Sequence, residues 1–442
     1  MNNAREECFV SGESKINVVT MGCSKNLVDS ESLLGQLKAG GLDLTSDVED
    51  AQTVVINTCG FIEAARKESI DAILEAVDRK RRGELRKIVV MGCLSERYKK
   101  ELMQEIPEVD VFFGSHEMQE VVAELGADYR KNLLGERVIS SPGHYAFLKI
   151  SEGCDNPCSF CSIPLMRGKH TSKPLEDIAR EARFLVSHGV KELNLIAQDS
   201  TYYGLDLYGD RRLSRVLTTL AEIPGVEWLR LLYAYPAHFP EDILDVFRTH
   251  SNICRYLDIP VQHIADSVLR SMRRGISARK TRELLDTIRN AVPGIALRTT
   301  LIVGYPDETE KDFQMLYDFV GDMKFHRLGV FVYSHEEGTS AFPLGDPIPQ
   351  SVKEERRDAL MSLQKGISES RNEMLVGTRT KVMIDREEDG VFVGRTEWDA
   401  PEIDQEVFVR SDSLLANGTV CEVQITGSTE YDLYASVVPG KN

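Results

Sequence analysis

The distribution of apolar and polar positions divides the 442-residue chain into three textures. Residues 1–14 are polar and read as a frayed start. From Lys15 to about Leu125, short apolar runs rich in β-branched residues alternate with longer amphipathic stretches. The runs at 16–21, 53–58, 87–91 and 111–114 predict strands. Residues 26–38, 63–82 and a stretch opened by Ser95 as N-cap predict helices, the first halted by Gly40-Gly41. Strands alternating with helices imply a parallel sheet covered on both faces.

A polar stretch at 126–143 reads as a linker, after which the alternation resumes. Strands are expected at 145–150, 192–197, 228–232, 256–259, 297–303 and 328–333, with helices between most of them. Six βα units predict an open or partial barrel, too few for a closed eight-fold one. A charged helix follows at 351–375. From Gly377 the texture changes to short strands with turns, at 380–384, 391–394, 406–409, 419–425 and 433–438, the pattern of a small all-β barrel. The expected class is therefore α/β. It comprises an open parallel-sheet domain at 15–128, a partial (βα)6 barrel at 140–372 and a small all-β domain at 374–440.

Charge changes the picture only a little at this stage. The net charge of −17 counts against a generic nucleic-acid binder. No apolar run approaches the ~18–20 residues of a membrane helix, and the first seven residues lack the basic-then-apolar layout of a leader. No membrane partner is expected. Nine cysteines, an odd number, argue against a secreted disulfide scaffold. A cytoplasmic location is expected, and there clustered cysteines bind metal or do chemistry.

Cys154, Cys158 and Cys161 stand at C-x3-C-x2-C spacing directly after the first barrel strand. Three thiolates so close suit three irons of a 4Fe–4S cubane. No fourth cysteine lies in the loop, so one iron stays open. Structural zinc sites want four ligands at paired spacing, and no second pair lies nearby. Cys23, Cys59 and Cys93 share no short motif, yet each sits just past the carboxyl end of a predicted parallel strand. In an open α/β sheet those ends line one crevice, so the three thiols can meet as a second cluster site. Helix N-termini around them favour thiolate. Cys8, Cys254 and Cys421 have no such company; the last two border apolar strands and read as packing residues.

A three-cysteine cluster with an open iron suits S-adenosylmethionine, whose one-electron cleavage yields a 5′-deoxyadenosyl radical. The loop, with Phe160 before its last cysteine, resembles the radical S-adenosylmethionine signature. The match is wider than the loop. Met21-Gly22-Cys23-Ser24-Lys25-Asn26, Asn57-Thr58-Cys59-Gly60-Phe61 and Met91-Gly92-Cys93 resemble the amino-terminal domain of methylthiotransferases, and the terminal β-domain resembles their TRAM module. Ser141-Pro142-Gly143-His144-Tyr145-Ala146, Leu257-Asp258-Ile259-Pro260-Val261-Gln262-His263-Ile264 and Ala400-Pro401-Glu402-Ile403-Asp404 are similar to the RimO branch of that family.

The resemblance implies two 4Fe–4S clusters and S-adenosyl-L-methionine as cofactors. All six cysteines would be metal ligands and act catalytically through the clusters. The cluster on Cys23, Cys59 and Cys93 would carry or donate sulfur, one S-adenosylmethionine would methylate it, and a second would yield the radical. The implied product is β-methylthioaspartate in a small-subunit ribosomal protein, with an electron donor and a sulfur source as further partners. Phe160, Gln198, Gln262 and Arg298 are the implied cofactor contacts, the last three on or at the ends of barrel strands; for those three the plainer alternative is sheet packing or a surface hydrogen bond, and for Arg298 also a strand arginine paired with a carboxylate. His144, His170 and His263 read as structural or surface residues, and the basic run Arg79-Lys80-Arg81-Arg82 as a solvated helix end.

Two rival readings follow from the same residues. One is a tRNA adenosine methylthiotransferase. From Met374 to Asn442 there are 6 Lys and Arg against 13 Asp and Glu, a poor balance for gripping phosphates and a good one for a basic ribosomal protein. Trp398 there reads as an aromatic contact or a core residue. The other rival is an iron–sulfur electron-transfer or cluster-carrier protein, for which three-ligand sites and a large barrel are ill suited.

Overall fold

The computed structural model describes residues 15–133 and 135–438, so Cys8 lies outside the described residues. The chain forms two compact units, 1–138 and 139–442.

In the first unit, β1 (Ile16–Thr20), β2 (Thr53–Thr58), β3 (Lys87–Gly92) and β4 (Val111–Phe112) form a parallel sheet in sequential order. The helices α1 (Ser24–Ala39), α2 (Glu63–Arg81), α3 (Cys93–Glu105) and α4 (Met118–Glu124) cover it. Strand residues point alternately to opposite faces. Val54, Ile56, Ile88 and Val90 pack with Ile73 and Val77 of α2 on one side. Val55 and Val89 pack with Leu33 and Leu37 of α1 and Val121 of α4 on the other. A strand buried on both faces must be apolar throughout, which is why 53–58 and 87–91 read as runs and not as alternations.

Two local readings are refined. Helix α3 starts at Cys93, two residues before the Ser95 that the sequence suggested as cap; Gly92, at φ +100°, turns the chain at once and Ser95 is buried inside the first turn. The basic run at the end of α2 is neutralised in place. Arg79 donates to Val48 O and lies near Glu84, Lys80 pairs with Asp110 at 2.6 Å, Arg81 with Glu108 at 2.5 Å and Arg82 with Glu84 at 2.6 Å.

In the second unit, β5 (Tyr145–Lys149) is followed by the short antiparallel pair β6 (Ser151–Glu152) and β7 (Thr171–Ser172), with α5 (Ile163–Arg167) between them. Then come β8 (Glu192–Ile196), β9 (Trp228–Leu231), β10 (Ile253–Asp258), β11 (Ala296–Val303) and β12 (Arg327–Val332). Strands β5 and β8–β12 form one parallel sheet in the order β12-β11-β10-β9-β8-β5, a barrel left open between β12 and β5. Helices α6 (Leu175–Ser187), α7 (Leu205–Tyr208), α8 (Leu213–Ala221), α9 (Ile243–Thr249), α10 (Asp266–Ser271), α11 (Ala278–Ala291) and α12 (Glu310–Met323) lie between them. Ala146, Leu148, Leu193, Leu195, Leu229, Leu231, Leu257, Leu297 and Leu301 pack against those helices in one continuous core. The alternate positions Tyr145, Glu192, Arg230, Tyr256, Arg298 and Arg327 are polar and face the other way.

Helix α13 (Gln350–Leu375) leads into a closed barrel of β13 (Arg379–Glu388), β14 (Val391–Thr396), β15 (Val407–Arg410), β16 (Val420–Ser428) and β17 (Leu433–Val437). Its interior is Val382, Ile384, Phe392, Val407, Val409, Val423, Ile425 and Leu433. The polar positions of the larger barrel's strands, with Tyr145, Glu192 and Arg327 at the first residue of theirs, meet this domain. Arg395 reaches Glu192 at 2.8 Å and Asp385 at 2.7 Å, and Arg230 reaches Glu192 at 2.9 Å. His144 pairs with Asp385 at 2.8 Å, Tyr145 donates to Glu402, Tyr256 to Asp404, and Arg327 Nε to Asp399 at 2.9 Å. The small barrel thus plugs the end of the large one opposite to its βα loops.

Candidate functional site

The cysteine loop leaves β6 at Gly153, whose φ is +73°; a Cβ there would collide with Lys169 O, so only glycine fits. Cys154 N donates to Gly168 O at 3.2 Å and Cys161 N to Cys158 O at 3.2 Å, which curls the three thiols toward one another. Asn156 pins the loop to Asp199 at the end of β8 (2.7 Å). Ser159 N donates to Met272 O and its hydroxyl to Ser271 O, tying the loop to the end of α10. Burial, helped by the neighbouring Cys158 thiol, pushes the Cys154 thiol up to about 11 and the Cys161 thiol up to about 12. Unliganded, these groups stay protonated; a cationic guest must displace the protons to recruit them.

Lys149 and Arg167 converge on Glu152, beside the loop, at 2.6 and 3.3 Å. Burial works to raise this carboxyl, but the two cations outweigh it and hold it near 2. Gln198 Nε2 donates to Glu152 at 2.7 Å, leaving its Oε1 buried with no hydrogen-bond partner. Gln262 sits at φ +72°, its backbone bonded on both sides to β11 (2.8 Å each), and its Oε1 is likewise buried and unpartnered. Both orphan acceptors belong to loops at the carboxyl ends of barrel strands. Phe160 packs on Ala265, Val268, Met272, Tyr305, Tyr333 and Ala341, an apolar bed under the loop.

Arg298 has a different place. It is the third residue of the eight-residue β11, bonded to Asp258 at 2.9 Å and 3.5 Å from Asp404 of the small barrel. The structure groups it with the polar plug and not with the cysteine loop. The three histidines are structural pairs: His144 with Asp385, His170 with Ser172 at 3.1 Å, and His263 accepting from Ala265 N at 3.0 Å. Sequence reading missed Arg274, which donates to Cys158 Sγ at 3.2 Å, and Tyr235, whose hydroxyl lies 3.6 Å from the same sulfur. No local signal could have found them, because the contacts span 116 and 77 residues.

In the first unit, Cys23, Cys59 and Cys93 follow the carboxyl ends of β1, β2 and β3, which are neighbours in the sheet. A Cβ on Gly22 would fall 2.6 Å from Cys59 Cβ and 2.9 Å from its Sγ, so the Cys23 turn rests on Cys59. A Cβ on Gly60 would fall 2.8 Å from Leu94 Cα and 3.0 Å from Cys93 O, so the Cys59 turn rests on Cys93. Asn26 stitches the turns by donating to Met21 O and Thr58 O, and lies 3.9 Å from Cys93 Sγ. Ser69 accepts from Cys59 N and donates to Cys59 O. Cys23 caps α1 and Cys93 opens α3, so both lie at the positive ends of helix dipoles. Cys254, buried beside Arg230, and Cys421 lie apart from both sets. Among the described residues no three His, Cys, Asp or Glu side chains are grouped tightly enough for a single metal ion; a cubane is a larger object, ringed by its thiolates.

Three family models match along the chain: uncharacterized protein family UPF0004 at 15–114, the radical SAM superfamily at 148–320 and the TRAM domain at 376–438. Two similar proteins carry the name ribosomal protein uS12 methylthiotransferase RimO. The one from Cytophaga hutchinsonii is 52% identical over 429 residues, covering 96% of this chain and 98% of the relative. The one from Flavobacterium psychrophilum is 53% identical over 423 residues, covering 96% and 98%. Among solved structures, the radical S-adenosylmethionine methyltransferase TsrM from Kitasatospora setae, with cobalamin and a 4Fe–4S cluster bound, aligns with a TM-score of 0.56. It is 14% identical and covers 75% of this chain and 77% of that one. That likeness shows a shared fold.

Proposed function

This chain belongs to the RimO family of ribosomal protein uS12 methylthiotransferases, within the radical SAM superfamily. On that premise we propose that it places a methylthio group on the β-carbon of an aspartate in uS12, using two 4Fe–4S clusters. A 4Fe–4S cluster and S-adenosylmethionine follow from the superfamily; the second cluster and its ligands are the finer reading. Cys154, Cys158 and Cys161 would hold the first, and Cys23, Cys59 and Cys93 the second. The observation that carries this is the pair of three-thiol sets, each built on turns where only glycine fits, Gly153 beside the first and Gly22 and Gly60 beside the second.

When bound, the radical cluster and S-adenosylmethionine supply the one-electron chemistry that removes hydrogen from an unactivated carbon. The chain's own residues do the rest. Glu152, ionised by Lys149 and Arg167, orients the Gln198 amide. The free Oε1 atoms of Gln198 and Gln262 are acceptors suited to the amino group or ribose of the nucleoside. Phe160 seats the loop on its apolar bed, and Arg298 positions the small barrel. The reaction consumes electrons and sulfur, so a reductant and a sulfur source complete the set of partners. No described helix is long and apolar enough to cross a membrane.

The charge of the small barrel favours a basic protein over tRNA. Of its described cations, Arg395 is buried in the plug and Arg386 is held by Glu388 and Glu406, which leaves Arg379, Lys381 and Arg410 exposed. Anaerobic incubation of cluster-loaded chain with uS12, S-adenosylmethionine, sulfide and a reductant tests the assignment by mass spectrometry. Gain of one methylthio group on an aspartate is expected. An unmodified uS12 beside methylthiolated tRNA would overturn it, and iron well below ~8 per chain would remove the second cluster.

A further inference from the structure

Arg274 lies against the cysteine loop as a buried cation. It is 3% exposed, and among the described residues no carboxylate pairs with it. Its backbone N–H closes onto Leu269 O at 3.0 Å as the chain leaves α10. Both ends of the guanidinium fork are fixed: Nη1 donates to Cys158 Sγ at 3.2 Å and Nη2 to Pro260 O at 2.6 Å. The plane sits over the Tyr235 ring, 4.3 Å from its centroid, and the Tyr235 hydroxyl donates to Arg274 O at 2.8 Å. Nε has no partner.

A guanidinium buried without an anion is costly, and an aromatic face offsets only part of that cost. A neutral thiol does not balance the charge either. The one group beside it that becomes anionic in function is the Cys158 sulfur. We propose that Arg274 is the built-in counter-cation of the cluster carried by Cys154, Cys158 and Cys161. It acts as a positioning residue whose N–H···S bond to the Cys158 thiolate raises the cluster's reduction potential. The inference rests on the ligand assignment made above. Hydrogen bonds to cluster sulfurs and nearby positive charge both favour the reduced, more negative form. Arginine stays protonated across the accessible pH range, so the bias is fixed.

The test uses the full-length chain with Cys23→Ala, Cys59→Ala and Cys93→Ala, so that one cluster is left to observe. That parent should hold ~4 irons; if it holds none, the ligand assignment fails, independently of Arg274. Redox titration followed by electron paramagnetic resonance then compares the parent with R274Q and R274K. Per loaded cluster, R274Q is expected at a clearly more negative midpoint potential, with R274K between it and the parent. Cleavage of S-adenosylmethionine per cluster should fall with a weak reductant and recover with a stronger one. Unchanged potentials in variants that load less iron would mean a merely structural residue and overturn the proposal. Failure of both variants to load while the parent loads would overturn it too, since Arg274 would then build the site without tuning it.

Discussion

Arg395 of the small barrel places Nη2 2.8 Å from Glu192 Oε2, at the first residue of β8, and both side chains are buried. Arg230 takes the other carboxylate oxygen at 2.9 Å. One carboxylate therefore holds two buried cations, one from each barrel. Removing it leaves Arg230 with no carboxylate and Arg395 with Asp385 alone, and breaking a buried ion pair costs ~3–5 kcal/mol. E192Q is expected to unfold at lower denaturant by an amount in that range, read from equilibrium unfolding with the slope checked. A midpoint equal to that of the wild type would show that the plug contributes nothing.

The same contact makes stability depend on acid. Burial works against the Glu192 carboxylate, but Arg395 and Arg230 outweigh it and hold its pKa below the ordinary carboxylate value. Asp385 is held low against the same burial by His144 and Arg395. A carboxyl lowered on folding contributes stability above its unfolded pKa and loses it as pH falls through the folded one. The stability gap between wild type and E192Q should therefore be widest near neutrality and close below about pH 4. Unfolding curves at pH 7 and at acid pH check this; a gap that widens in acid would reverse the sign.

These contacts also mark where sequence reading stops. The strand positions were legible because alternation and apolar runs follow directly from which face is buried, as Val54, Val55 and Ile56 illustrate. The cysteines were legible because three share a loop and three share a place relative to their strands. Glu192, Arg230 and Arg298 were not legible as a plug. Each is a lone charge in an apolar strand, and its partners lie from 38 to 203 residues away. For Arg298 the resemblance implies a cofactor contact and a carboxylate-paired strand arginine is the alternative; the structure pairs it with Asp258. Arg274 carried no sequence signal at all, because its contact with Cys158 spans 116 residues. Strand β10 begins at Ile253, three residues before the expected 256, because exposed Arg255 interrupts the apolar run while its N–H bonds Glu397.

Gly22 offers a test of the first unit that leaves the second untouched. Its φ is +89°, and a Cβ would press on Cys59 Cβ and Sγ at 2.6 and 2.9 Å. Gly41 shares the conformation, at φ +82°, with nothing within 4 Å. G41A should therefore cost only ~1 kcal/mol of backbone strain and keep full iron. G22A must move the Cys59 thiol itself, and about half of the bound iron should be lost, while S-adenosylmethionine cleavage at the Cys154 loop continues. Iron analysis with a 5′-deoxyadenosine assay decides. Equal iron in both variants would separate Gly22 from the thiol site.

The final prediction concerns the substrate. Glu387 and Asp412 are exposed on the small barrel, and neither belongs to the plug that joins it to the larger one. Exposed charge acts mainly on encounter, by steering an oppositely charged partner, and salt screens it within about 8–10 Å. A basic ribosomal protein should feel their loss in kcat/KM and hardly at all in kcat. E387K/D412K is expected to lower kcat/KM for uS12 roughly three- to tenfold at low ionic strength, with unchanged iron content and unfolding midpoint. Raising salt should slow the wild type more than the variant, so that the two converge. The result against it would be a variant as fast as the wild type at low salt, or one whose deficit persists at high salt, which would point to lost contact and not lost steering.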